Sequence, residues 1–151
     1  MAELADLPDL LLDSELVILD ANGRPQFEQL VRRSRLKRRM SIEHGTRTAP
    51  AALFAFDVLE LHGRDLREMA LTDRKRTLAE TVGTDGRIRA IDYVSTSGIE
   101  LFRAADEAQL EGIVAKRADS PYRRGHSSDW VKIKTAHGRA IDDERAKWNE
   151  R

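Results

Sequence analysis

The sequence predicts an α+β fold with a largely antiparallel sheet and short flanking helices. Three observations predict it. Apolar runs of strand length, rich in β-branched and aromatic residues, recur as "ELVILD", "ALFAFDVLEL", "GIVAKR" and "DWVKIKT". Segments with apolar residues at helical spacing lie between them. The two kinds mix without a strict βαβ rhythm, which favours α+β over a parallel sheet with crossover helices.

The elements follow in order. Glu15–Asp20 reads as a strand, ended by the turn "ANGRP". Phe27, Leu30 and Val31 share a helical face, so a helix is predicted from Gln26 to Arg35, followed by a loop at "EHGTRTAPA". Ala52–Leu61 is the strongest strand, and "HGRD" turns the chain after it. Thr72 is the expected N-cap of a helix that runs to Val82 and stops at Gly83. "IRAIDYVST" alternates as a strand does. "SGIELFRAADEAQL" reads as a helix with Ile99, Leu101, Phe102 and Ala105 facing inward. "GIVAKR", a polar loop and "DWVKIKT" close the pattern. Residues 136–151 read as a charged tail or linker, with Trp148 as its only large anchor.

The totals set bounds. A chain of 151 residues suffices for one domain with a modest core. Its 26 basic and 26 acidic residues cancel, so overall charge gives no sign of a polyanionic partner. Locally, "RRSRLKRR" (Arg32–Arg39) and the region from Arg117 to Lys134 are basic, and an anion-binding face fits inside the neutral total. The absence of cysteine excludes disulfides, thiolate metal sites and cysteine nucleophiles. His44, His62, His126 and His137 lack metal-ligand spacing and are expected at the surface. Acids interrupt the apolar N-terminal stretch, which predicts neither a signal peptide nor a membrane span and makes the cytoplasm the expected location.

Three features carry chemistry. Glu15 follows Asp13 at a strand entry, Glu111 opens "EGIVAK", and Lys132 and Lys134 share one face of "WVKIK" with Trp130. Two carboxylates beside paired lysines would suit a phosphate ester with Mg²⁺, the acids holding the metal and the ammoniums neutralising phosphoryl oxygens. Taken singly, a strand-end Glu is more often solvated, and lysines on a strand face more often guard an edge against aggregation. Phe54 and Phe56 share a strand face as ordinary core residues do, although Phe56 could present a ring to a flat base. Arg32 and Arg33, with Arg123 and Arg124, could track a phosphate backbone or simply be solvated.

Taken in order, "ELVILD … FAFDVLELHGRDL … EGIVAKRADSPYRRGHSSDWVKIK" closely resembles the adenylation domain of ATP-dependent DNA ligases, most of all the bacterial end-joining type and its small stand-alone relatives. The resemblance runs from Leu10 to Thr135. "EGIVAK" fits the family's E-G-x-V-x-K at every position, and "WVKIK" fits the lysine-rich motif that follows. It implies a partial ATP-grasp-like adenylation domain over 1–135, with 136–151 as a tail. It implies ATP or AMP as ligand with Mg²⁺, and DNA as partner. By the same resemblance, Glu15 and Glu111 are the metal-side carboxylates. Phe56 is the ring stacked on adenine. Lys132 and Lys134 grip the α-phosphate, and Lys116 closes its motif.

The sequence departs from the family where the chemistry begins. A lysine in K-x-D-G-x-R attacks ATP and carries AMP as a phosphoramidate. This sequence contains no such motif, and no lysine precedes Lys37. Ser14 stands where the D-G-E motif has Gly, and His126 stands where relatives tend to have Arg. The expectation is an incomplete domain without the family's OB-fold, unable to adenylate itself, whose uncovered edge would be met by a complementing chain or a homodimer. The competing readings are one half of a split ligase and a non-catalytic module that binds DNA or a repair partner.

Overall fold

The computed structural model describes residues 6–149, with side chains placed through residue 142. The chain divides into two compact units, Met1–Ile91 and Asp92–Arg151. The first contains β1 (Leu10–Ile18), α1 (Phe27–Ser34), α2 (Arg39–Thr48), β2 (Ala51–Leu61), β3 (Arg64–Asp65), α3 (Leu71–Val82) and β4 (Ile88–Ala90). The second contains α4 (Gly98–Glu107), β5 (Gly112–Lys116), β6 (Trp130–Lys134) and α5 (Ala136–Asn149). The fold is α+β with mostly antiparallel pairing, as the apolar runs predict.

In the first unit β2 is the centre of a four-stranded sheet. It pairs antiparallel with β1 and β3 and parallel with β4. Ala55, Val58, Leu66, Leu78, Val82, Ile88 and Ala90 are buried together, so α3 lays its apolar stripe on β2 and β4. The β1–β2 ladder shifts register twice, between Leu11 and Leu12 and between Asp13 and Ser14, which leaves Leu59 and Phe56 without a cross-strand partner. Each is the extra residue of a bulge, and a bulge bends the strand and re-aims the side chains that follow. Asp57 and Val58, adjacent in sequence, are accordingly both buried.

The buried Asp57 meets the buried Arg74 of α3 in a two-pronged ion pair. Arg74 Nε donates to Asp57 Oδ1 and Nη2 to Oδ2, both at 2.9 Å. Arg74 Nη1 also donates to the Met69 carbonyl, and the Val58 N–H donates to Asp57 Oδ1 at 2.9 Å. These bonds offset the large cost of desolvating two charges. They also fix α3 on β2 at one register.

Several expectations are corrected. Residues 43–48, read as loop, belong to α2. Its sequence has no apolar periodicity and contains Gly45, Thr46 and Thr48. Contacts hold it instead: Arg33 Nη1 donates to the Ala49 carbonyl at 2.7 Å, and Arg39 pairs with Glu43 at 2.8 Å. Gly45 lies against Leu36, where a Cβ would come to 3.1 Å from that side chain. The N-cap of α3 is Ala70 and forms no side-chain cap bond, so Thr72 lies inside the helix. β4 ends at Ala90, well short of the strand expected through Thr96. Of the four residues expected inward on α4, Ala105 is buried and Phe102 half-buried, but Ile99 and Leu101 are 68% and 39% exposed. These two lie at opposite edges of the apolar set, which the described residues do not fully cover.

Residues 136–149, read as a tail, form α5. The buried Thr135 caps it. Its Oγ1 accepts the Gly138 N–H at 3.1 Å, which satisfies one of the helix's four unpaired amides. The same hydroxyl donates to the Leu110 carbonyl at 2.5 Å. Trp148 lies outside the residues whose side chains are described. No described helix is long and apolar enough to cross a membrane.

Candidate functional site

β5 and β6 form an antiparallel pair in which Gly112, Val114 and Lys116 lie opposite Lys134, Lys132 and Trp130. Opposite residues share a face. One side of this small sheet therefore carries Lys116, Trp130, Lys132 and Lys134 together. Ile113, Ala115, Val131 and Ile133 line the other side.

Simple alternation from Gly112 would send Glu111 to that other side. β5 begins at Gly112, so Glu111 is not a strand residue as expected. Gly112 has φ +155°, and a Cβ there would come to 2.2 Å from the Ile133 carbonyl oxygen. Only glycine allows this backbone path. Beyond that break Glu111 Oε1 reaches the lysine face. It lies 2.6 Å from Lys132 Nζ and 3.7 Å from Lys134 Nζ. The conjunction "EG" followed by "KIK" is thus a built cluster, one carboxylate between two ammoniums.

A second acid joins it. Asp142, on α5, accepts a hydrogen bond from Lys134 Nζ. No sequence motif contains Asp142. The signal available was the "DDE" cluster in a segment read as linker. The helix brings that acid back onto β6.

Lys116 has a different neighbour. Its Nζ sits 3.7 Å from the centroid of the Trp130 ring, a cation–π contact. Trp130 in turn meets Tyr122 edge to face at 5.4 Å between centroids. The connecting loop is closed by Arg117, whose Nε contacts Asp129 at 3.0 Å and Asp119 at 3.1 Å. The buried Ser120 donates to the Arg117 carbonyl at 2.7 Å. This leaves Arg123, Arg124 and His126 exposed on an ordered loop.

The remaining predicted residues lie in the first unit. Glu15 is exposed in mid-strand, paired with Phe54, rather than at a strand entry. Phe56 is half-buried at the bulge, which separates it from the regular face that carries Phe54. Phe54 itself lies under Arg89, whose Cζ is 4.5 Å from the ring centroid. Arg32 is exposed, while Arg33 is committed to the Ala49 carbonyl.

The cluster does not fit a resident divalent metal. A hard cation takes six or more oxygen ligands. Glu111 and Asp142 are each in contact with an ammonium, and among the described residues no group of three or more His, Asp or Glu side chains could hold a metal ion. The arrangement suits an anion instead. Two lysines on one strand, with no carboxylate between them in sequence, offer point charges and several N–H donors to phosphoryl oxygens.

Comparison with known proteins agrees with the motifs. The family model described as ATP dependent DNA ligase domain matches residues 2–134. The chain is 35% identical over 133 residues to the multifunctional non-homologous end joining protein LigD of Mycolicibacterium smegmatis, covering 86% of this chain and 16% of that protein. It is 35% identical over 140 residues to the bifunctional non-homologous end joining protein LigD of Bacillus subtilis, covering 85% of this chain and 23% of that protein. The solved ligase domain of M. tuberculosis LigD superposes with a TM-score of 0.62 at 33% identity, over 83% of this chain and 37% of that one. A mycobacterial DNA ligase D complexed with ATP and MES superposes with a TM-score of 0.61 at 32% identity, over 83% of this chain and 38% of that one. The chain belongs to the ATP-dependent DNA ligase domain family. It spans about a quarter or less of the length of these curated relatives.

Proposed function

We propose that this chain is the nucleotide-holding part of a ligase adenylation domain, binding ATP and AMP through their common α-phosphate without itself forming protein-bound AMP. The observation that carries the reading is the Glu111–Lys132–Lys134 cluster. Lys132 and Lys134 are the phosphate ligands. Family resemblance adds Phe56 for adenine and Glu15 for the ribose side. It also points to Glu15 and Glu111 as the acids nearest the Mg²⁺ that travels with ATP. Mg²⁺ neutralises phosphate charge when bound, and it arrives with the nucleotide. Lys116 supports the face through Trp130 and meets the ligand least.

The reaction has a missing part in these 151 residues. Forming a phosphoramidate needs an amine in the K-x-D-G-x-R position, and the sequence offers none. Nucleotide binding and covalent self-adenylation are therefore separable here. The test is one pair of experiments on the same preparation. Calorimetric titration with ATP and AMP should show binding, weakened about tenfold or more for both by Lys132→Ala. Incubation with ATP labelled at the α-phosphate should leave no label on the protein. Equal affinities in Lys132→Ala would remove the pocket reading, and a stable label would remove the second half.

A second reading has its own observation. Arg32, Arg123 and Arg124 are exposed, which suits contact with a nucleic-acid backbone, and the half-buried Arg33 donates to the Ala49 carbonyl. DNA binding that falls steeply with salt and is indifferent to Lys132→Ala would favour a DNA-holding module over the nucleotide reading. A complementing chain that brings the missing lysine, or a second copy that covers the uncovered edge, fits both readings, as does a cytoplasmic setting in DNA repair.

A further inference from the structure

We propose that helix α5 is a built-in competitor of the nucleotide: Asp142 occupies Lys134 in the free protein, and a phosphate must displace it to be gripped by both lysines. The inference rests on the reading of Lys134 as a phosphate ligand.

The geometry has three parts. First, the helix is anchored at its base and leaves β6 in one direction. Thr135 caps it, the Ala136 N–H donates to Asp106 Oδ1 at 3.1 Å, and Arg139 Nη1 donates to the Lys134 carbonyl at 2.8 Å. Second, Gly138 presses on the Glu111 backbone. A Cβ at Gly138 would come to 1.9 Å from the Glu111 carbonyl oxygen, so any side chain would push the helix away. Third, residues four apart lie on the same helix face. Asp142 follows Gly138 by four, so the close approach at Gly138 aims Asp142 at the lysine face, where it bonds Lys134 Nζ.

The electrostatics then order the competition. Among the described residues Lys132 pairs with Glu111 at 2.6 Å, whereas Lys134 has Asp142 in direct contact and Glu111 at 3.7 Å. Among the described residues Glu111 and Asp142 are paired with Lys132 and Lys134, so both lysines already have a carboxylate partner without a ligand. A nucleotide phosphate adds negative charge beside lysines that already have carboxylate partners. Releasing Asp142 restores the positive charge that the phosphate needs. The Lys134–Asp142 pair is partly exposed, with the side chains 26% and 46% accessible, which keeps it weak enough to exchange.

The test is AMP affinity by calorimetry in the full chain, comparing wild type, Asp142→Asn, Lys134→Ala and Glu100→Gln, an exposed acid of α4. Asp142→Asn should tighten AMP by about two- to fivefold, the range of a partly exposed ion pair. Glu100→Gln should leave affinity unchanged, which separates local competition from a general change of net charge. Gly138→Ala should tighten AMP as well, by displacing the helix rather than removing its acid. Circular dichroism checks that each variant is folded, and Asp142→Asn alone decides the matter if Gly138→Ala is not. Weakening by Lys134→Ala with no change in Asp142→Asn would overturn the competitor and leave the pocket standing. No loss in Lys134→Ala, or no binding by wild type and Asp142→Asn alike, would overturn both.

Discussion

The two units of this chain are stabilised differently. The first is organised by apolar burial: α3 packs on β2 and β4 around Ala55, Val58, Leu78 and Ile88, and the Asp57–Arg74 ion pair is fully sequestered. In the second, the buried described residues are small or polar, namely Ala105, Ser120, Thr135 and Gly138, and order comes from hydrogen bonds and glycine contacts. Its larger apolar side chains, Ile99, Leu110, Val131 and Ile133, stay substantially exposed. The difference teaches where charge can be used. In the first unit charge is spent on fixing a helix. In the second it is partly hydrated, exchangeable and gathered on one sheet face, where it can answer a ligand.

Variants can break that comparison. The largest effect is expected from Arg74→Ala, which strands the Asp57 carboxylate in the core and should cost about 3–5 kcal/mol of stability, read by urea unfolding. A loss below about 1 kcal/mol would mean that the pair is not structural. Thr135→Val comes next. It removes the helix cap and leaves the Leu110 carbonyl without its hydroxyl donor, for about 1–3 kcal/mol. Hydrogen exchange should show that loss in residues 92–149 rather than in β2. Glu111→Gln takes the acid from between the lysines. It should change stability by less than about 1 kcal/mol, since the pair is half-exposed, yet abolish any Mg²⁺ enhancement of ATP binding. The smallest effect belongs to Asp65. The Arg67 backbone N–H, bonded to its carboxylate, holds its pKa below the usual value, helped by the Arg67 guanidinium. What that depression contributes is present above the ordinary carboxylate pKa and fades as pH falls through the lowered one. Asp65→Asn should flatten this acid-side dependence slightly in melting curves.

How much was legible in the sequence follows the same division. The strands with apolar runs, β2 above all, were legible because burial writes itself into residue type. "EGIVAK" and "WVKIK" were legible as an ordered pair of motifs, and the structure adds why Gly112 must be glycine: it turns Glu111 onto the lysine face. The Asp57–Arg74 pair was not legible, because its members are 17 residues apart and a bulge decides which of Phe56 and Asp57 turns inward. Asp142 was hidden for a related reason, since its partner Lys134 meets it only if residues 136–149 are helical, and that stretch reads as a linker. On α4 the periodicity misled, because the set Ile99, Leu101, Phe102 and Ala105 specifies a helix but not how much of its surface is covered, and Ile99 and Leu101, at opposite edges of the set, stay exposed.

Lys132 and Lys134 are proposed to hold the phosphate common to ATP and AMP. The most direct measurement is paired calorimetric titration of ATP and AMP into wild type, Lys132→Ala and Lys134→Ala. Wild type should bind both nucleotides, and each variant should lose a similar factor for both. Unchanged affinity in the variants, or a loss confined to ATP, would contradict it.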